Sequence, residues 1–188
     1  MKGKIFAIFA VLAVVAMVFG TVSAQVESHK RKQFTPVEGG TVYWSFILDG
    51  NAMPLGEGKP TQTTAHIGTF ITCDVPPSGV EYFIRIFQSD GTYEHYVLKL
   101  DNVQANEHSI VILIHFEQGT LVGRVTRVEK STTTNPEWTI SRTTYTVDNM
   151  RGTLRLNGQN VLISNMSGEC TYTSWTPTFS SPELGAAV

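Results

Sequence analysis

The chain has 188 residues and a formal net charge of −2, with 41% hydrophobic and 16% charged residues. That apolar fraction excludes a disordered polymer, the near-neutral balance excludes the basic field that nucleic-acid binding needs, and the length fits one domain. Two cysteines exclude a disulfide-dense miniprotein and a four-thiolate zinc site.

At the front, Lys2 and Lys4 precede an apolar run from Ile5 to Phe19, and Val22-Ser23-Ala24 forms a small-x-small site before Gln25. The pattern predicts a secretory signal peptide over residues 1–24. A retained anchor is the alternative, since the 18 residues from Ile5 to Val22 could span a bilayer. Residues 1–24 carry two of the 14 basic side chains and no acidic one, so cleavage leaves about 164 residues with a charge of about −4. No later stretch is apolar enough to span, and the expected location is secreted or extracellular, with the periplasm or cell surface as variants. Residues 25–40, with the basic run His29-Lys30-Arg31-Lys32, read as a polar arm.

From Thr41 onward the apolar residues recur with a period of two, which is the mark of strands. Thr41 to Leu48 places Val42, Trp44, Phe46 and Leu48 on one face, and a Gly- and Pro-rich loop follows from Ala52 to Thr63. Thr64 to Cys73 is the next strand, ended by Asp74-Val75-Pro76-Pro77-Ser78-Gly79, whose prolines cannot donate to a ladder. Val80 to Gln88 and Thr92 to Leu100 form a hairpin about Ser89-Asp90-Gly91, as do Ser109 to Phe116 and Thr120 to Glu129 about Glu117-Gln118-Gly119. The parity of apolar residues switches near Gly123, which predicts a bulge there. Glu137 to Val147 follows a polar loop. Gly152 to Leu156 and Gln159 to Ser164 flank Asn157-Gly158, a two-residue hairpin signal that sets Leu156 opposite Gln159 and Leu154 opposite Val161. A last strand runs from Glu169 to Trp175, and the tail begins at about residue 177.

These are about ten strands joined by links too short for parallel crossovers. The fold class is therefore all-β, an antiparallel meander over residues 41–176 closing as an up-and-down barrel or packing as a two-sheet sandwich. Val80 to Gln88 carries Phe83 and Phe87 on its second face, and Ser109 to Phe116 carries Val111 and Leu113 there. Strands apolar on both faces predict a cover, and another copy of the chain meeting Phe83, Phe87, Val111 and Leu113 is one way to supply it.

In an exported chain, Cys73 and Cys170 are expected to join, closing a loop of roughly 100 residues worth up to about 4.7 kcal/mol. Asn165-Met166-Ser167 is a glycosylation sequon placed in a predicted turn. His66, His95 and His115 each fall on the less apolar face of a strand. With Glu117 they are candidates for an acid–base cluster, or the three histidines for a metal site, if those faces converge; otherwise they are surface residues. Glu94 shares parity with Tyr96 and Leu98, which makes it either a buried acid or a rim residue. Trp138 and Trp175 are candidates for an aromatic binding face. No nucleophile elbow, phosphate loop or dinucleotide fingerprint occurs, so no cofactor is expected. The functional expectation is a secreted, non-enzymatic β-domain that binds a small apolar ligand, a carbohydrate or a protein. A small histidine- and carboxylate-based hydrolase or isomerase is the first alternative, and a self-associating envelope or matrix protein the second.

Overall fold

In a computed structural model of the chain, residues 40–56 and 61–178 are described. The predicted signal peptide (residues 1–24), residues 25–39 of the predicted arm and residues 179–188 of the predicted tail lie outside them. The described residues form nine strands and no helix: β1 (Thr41–Leu55), β2 (Thr63–Ile71), β3 (Val80–Phe87), β4 (Tyr93–Leu98), β5 (Leu100–Gln104), β6 (Val111–Phe116), β7 (Gly119–Thr134), β8 (Trp138–Leu156) and β9 (Gln159–Pro177). They make one antiparallel sheet in the order β4-β3-β2-β1-β9-β8-β7-β6-β5. β4 and β5 stand at opposite ends of that order, yet only Lys99 separates them in the chain. The sheet therefore curls into a half-barrel whose two ends belong to one bent chain run. Ring contacts across the interior record the curl, with Phe116 on β6 lying 6.0 Å from Phe46 on β1 and 6.5 Å from Tyr82 on β3.

The period of two explains the interior. Trp44, Phe46 and Leu48 on β1, Ile84 and Ile86 on β3, and Ile112, Ile114 and Phe116 on β6 all point inward into one core with Leu121, Leu154 and Ile163. Each such side chain contributes about 1.5–3 kcal/mol by leaving water. The Asn157-Gly158 hairpin has the expected register, Leu156 opposite Gln159 and Leu154 opposite Val161, with φ of 47° and 83° at its two residues. Both positive angles are those of a type I′ turn, for which Asn-Gly is the favoured pair.

Three expectations change. First, β8 and β9 are single strands of 19 residues where the sequence suggests two each. The parity switches behind that reading are bulges. Register shifts at Gly50, at Gly123 and Thr126, at Asp148-Asn149 and at Asn165 cross β1, β7, β8 and β9, bending all four. Asn165 is thus a bulge residue at φ 52° with an exposed side chain, and no turn forms there. Conversely, the predicted strand from Thr92 to Leu100 divides at Lys99, because β4 pairs with β3 while β5 pairs with β6.

Second, Cys73 and Cys170 are both free. Phe46 is opposite Cys170 and, since Ile47 faces Gly68, level with Thr69. Cys73 therefore lies four residues further along and two strands away. At ~3.3 Å per residue and ~4.8 Å per strand the Cα atoms are roughly 16 Å apart, while a disulfide tolerates about 7 Å. Cys170 also points into the core and Cys73 is exposed, so the pairing rested on cysteine count without the register that forbids it.

Third, the cover predicted over β3 comes in part from side chains of its neighbours. Phe83 is only 5% exposed although it lies on the outer face. Phe70 stacks on one side of it at 4.6 Å and His95 on the other at 5.3 Å. Beneath it is Gly68, where a Cβ would lie 2.4 Å from the Phe83 ring. Phe87 is half-buried against Tyr93.

Candidate functional site

The antiparallel register aligns outward-pointing residues of β1, β2, β3 and β4 in rows. One row is Ile47, Gly68, Phe83 and Val97; the next is Asp49, His66, Arg85 and His95. His66 and His95 are thereby brought onto one face, with Arg85 between them. His66 Nδ1 and Asp49 Oδ1 are 2.9 Å apart, and Arg85 Nε donates to His95 Nδ1 at 3.5 Å.

The guanidinium of Arg85 rests on three rings, 4.8 Å from the centroid of Phe83, 5.2 Å from Tyr93 and 5.8 Å from Phe70. Each contact of this kind is worth about 0.5–1 kcal/mol at an exposed site. Two of the rings present open surface, with Phe70 49% and Tyr93 53% exposed. Asp49 and Glu81 are the carboxylates of this face, and among the described residues no carboxylate bridges Arg85. The arrangement is a half-buried cation, fixed in position by aromatic faces, whose remaining N–H donors have no anion.

A shallow depression of about 220 Å³ adjoins this face. His95, Tyr96 and Val97 of β4 form one wall, and Gln118 of the β6–β7 turn, Arg155 at the end of β8 and Asn157 of the β8–β9 turn form the other. Gln118 Oε1 accepts the Lys99 main-chain N–H at 3.1 Å. Arg155 has no carboxylate partner among the described residues.

The other sequence candidates are placed elsewhere. His115 is on the outer face of β6, opposite Asn102 of β5, at the other end of the strand order from His95 on β4, with Nδ1 3.0 Å from Thr120 Oγ1. Its Nε2 is buried without a partner. Glu117 pairs with Lys99 at 3.2 Å. Glu94 is exposed at the rim of the inner face and accepts a hydrogen bond from the Tyr96 hydroxyl, which pushes that phenol up to about 12. No three His, Cys, Asp or Glu side chains among the described residues are grouped to hold a metal ion. Trp138 and Trp175 do meet, edge to face at 6.3 Å on β8 and β9, both half-buried, and the Trp175 Nε1 is enclosed without an acceptor.

Arg85 and Phe70 are the residues that sequence reasoning missed. The signal was present in the parity of β3, where Arg85 stands between Phe83 and Phe87, and in the hairpin at Ser89-Asp90-Gly91, whose register sets Arg85 opposite His95. Comparison of the chain with protein-family models and with curated proteins finds no match.

Proposed function

We propose that the chain is an exported, non-enzymatic binding domain whose recognition surface is the outer face of β2, β3 and β4, and that its ligands join an anionic group to a flat apolar surface. The observation that carries this reading is Arg85, held on three rings with no carboxylate partner among the described residues. The ring contacts hold the guanidinium in place while leaving its in-plane N–H donors available to a ligand. A preplaced guanidinium beside exposed rings offers a charge-assisted, potentially bidentate hydrogen bond and an apolar contact at low ordering cost. The inward face is packed with side chains, which leaves the outer face as the place for recognition. The alternative of a histidine enzyme draws no support from the separate settings of His95 and His115.

Benzoate joins a ring to a carboxylate and serves as a minimal probe. Titrated into ¹⁵N-labelled protein, it is expected to shift the resonances of Phe70, Phe83, Arg85, Tyr93 and His95, and Arg85→Ala is expected to weaken binding at least tenfold. Shifts scattered over the molecule, or indifference to Arg85→Ala, would overturn the reading.

Self-association is a second reading, favoured by a separate patch where Ile110 is 78% and Val111 and Val122 are each 40% exposed beside the half-buried Leu113. It is tested by sedimentation of Val111→Ser against the parent chain.

A further inference from the structure

β4 is an open edge, and the hairpin tells which of its main-chain groups are free. Gln88 N–H donates to Thr92 C=O at 2.8 Å, so these opposed residues form a hydrogen-bonded pair. In an antiparallel ladder such pairs alternate with pairs whose N–H and C=O groups point away from the partner. Counting along the register, Glu94, Tyr96 and Leu98 bond to β3, while Tyr93, His95 and Val97 turn their N–H and C=O groups outward. Among the described residues β3 is the only strand that β4 pairs with, and no loop or side chain of those residues takes up the outward groups. Three alternate residues thus present three donors and three acceptors in a line, and two of them, His95 and Val97, line the 220 Å³ depression together with Tyr96.

The side chains of the same three residues lie on the outer face, where Tyr93 is 53% and Val97 51% exposed. Native edges are commonly blunted by a charge, a proline or a bulge. β4 has no proline and no register shift against β3, and the carboxylate of Glu94 on its opposite face is engaged by Tyr96.

We infer that β4 is a docking edge for an extended peptide segment bearing acidic side chains, which adds to the sheet as a further strand. The inference rests on the recognition surface proposed above and names its partner. Strand addition supplies affinity through main-chain hydrogen bonds and specificity through alternate side chains. The acidic character follows from charge. Arg155 faces the docked segment from the far wall, the His95 ring stands beside it, and Arg85 lies one strand further in with its guanidinium touching His95. None of the depression's lining residues is a carboxylate. A second copy of the chain pairing β4 with β4 would bring only its own Tyr93, His95 and Val97 to this face, none of them a carboxylate, and leave these cations unmet.

The test uses the whole chain and a fluorescent, end-capped heptapeptide of alternating Glu and Val, with two further versions N-methylated on its odd or on its even residues. An added strand bonds through one of its edges only. One methylated isomer should therefore lose at least tenfold in affinity while the other binds like the parent, and a Lys-for-Glu peptide should not bind. Arg85→Gln and Arg155→Gln should each weaken the parent peptide several-fold. Val97→Pro removes one outward N–H without touching the β3 ladder and should abolish binding while the melting temperature stays near that of the parent chain. If both methylated isomers bind equally well, or dextran sulfate competes as strongly as the peptide, attraction to the face without strand pairing is the explanation and the inference fails while the benzoate result stands. A concentration-dependent dimer that excludes the peptide assigns the edge to a second copy and likewise overturns it. Loss of benzoate binding at this face would instead remove the recognition surface itself.

Discussion

Single side chains carry two consequences of the curled sheet that can be measured directly. Tyr82 donates its hydroxyl to the Trp44 carbonyl at 3.2 Å, and burial pushes its phenol up to about 12 from an ordinary value of 10.0. A phenol whose pKa is raised on folding favours the native state fully below pH 10; stability then falls as the unfolded chain ionises and the folded one does not. Urea unfolding should show a midpoint that drops between pH 10 and pH 12, and Tyr82→Phe should make that drop smaller, the remainder coming from the other raised phenols, Tyr96 among them. The two thiols differ in the same way. Burial pushes the Cys170 thiol well above its usual range, whereas Cys73 is exposed. A thiolate-seeking reagent should modify one cysteine in the folded chain and both after denaturation, since the thiolate is the reactive form; no reaction in either state would mean that the disulfide exists after all. Cysteine pairing was illegible in the sequence because it depends on how far apart the strands lie, which no spacing along the chain encodes.

Among the elements, β2 and β3 show how a packing position sustains a surface. Gly68 has no side chain because Phe83 occupies its outer face, and Phe83 is what Phe70, His95 and Arg85 lean on. Gly68→Ala forces the Phe83 ring to move, and overpacking of this kind costs about 1–3 kcal/mol. Chemical denaturation should report that loss, together with disturbed resonances of Arg85 and His95; an unchanged stability would mean that the ring is loosely held. Strand existence and hairpin register were legible here, since alternation and the Asp90-Gly91 and Asn157-Gly158 signals are local. The long strands β8 and β9 were not, because a bulge and a turn both interrupt alternation. Only the cross-strand partner, Gly168 beyond Asn165 for instance, decides between them.

For the molecule as a whole, nine strands curl until β4 and β5 meet at Lys99, and the ladder stops short of closing there. The half-barrel therefore has a packed interior and an open seam, with the Arg85 face beside it. Of this site the sequence disclosed His66 and His95 as outward residues but not their convergence on Arg85, which requires the register of four strands at once. His115 and Glu117 were drawn into the same grouping by residue type and strand parity, but β6 carries His115 on another part of the sheet and the turn after it pairs Glu117 with Lys99. The central claim is that β4 offers an unpaired edge beneath that face, and residue-resolved amide hydrogen exchange of the free protein tests it most directly. The account predicts rapid exchange at Tyr93, His95 and Val97 alternating with protection at Glu94, Tyr96 and Leu98; protection of all six amides would show that the edge is already covered and would contradict it.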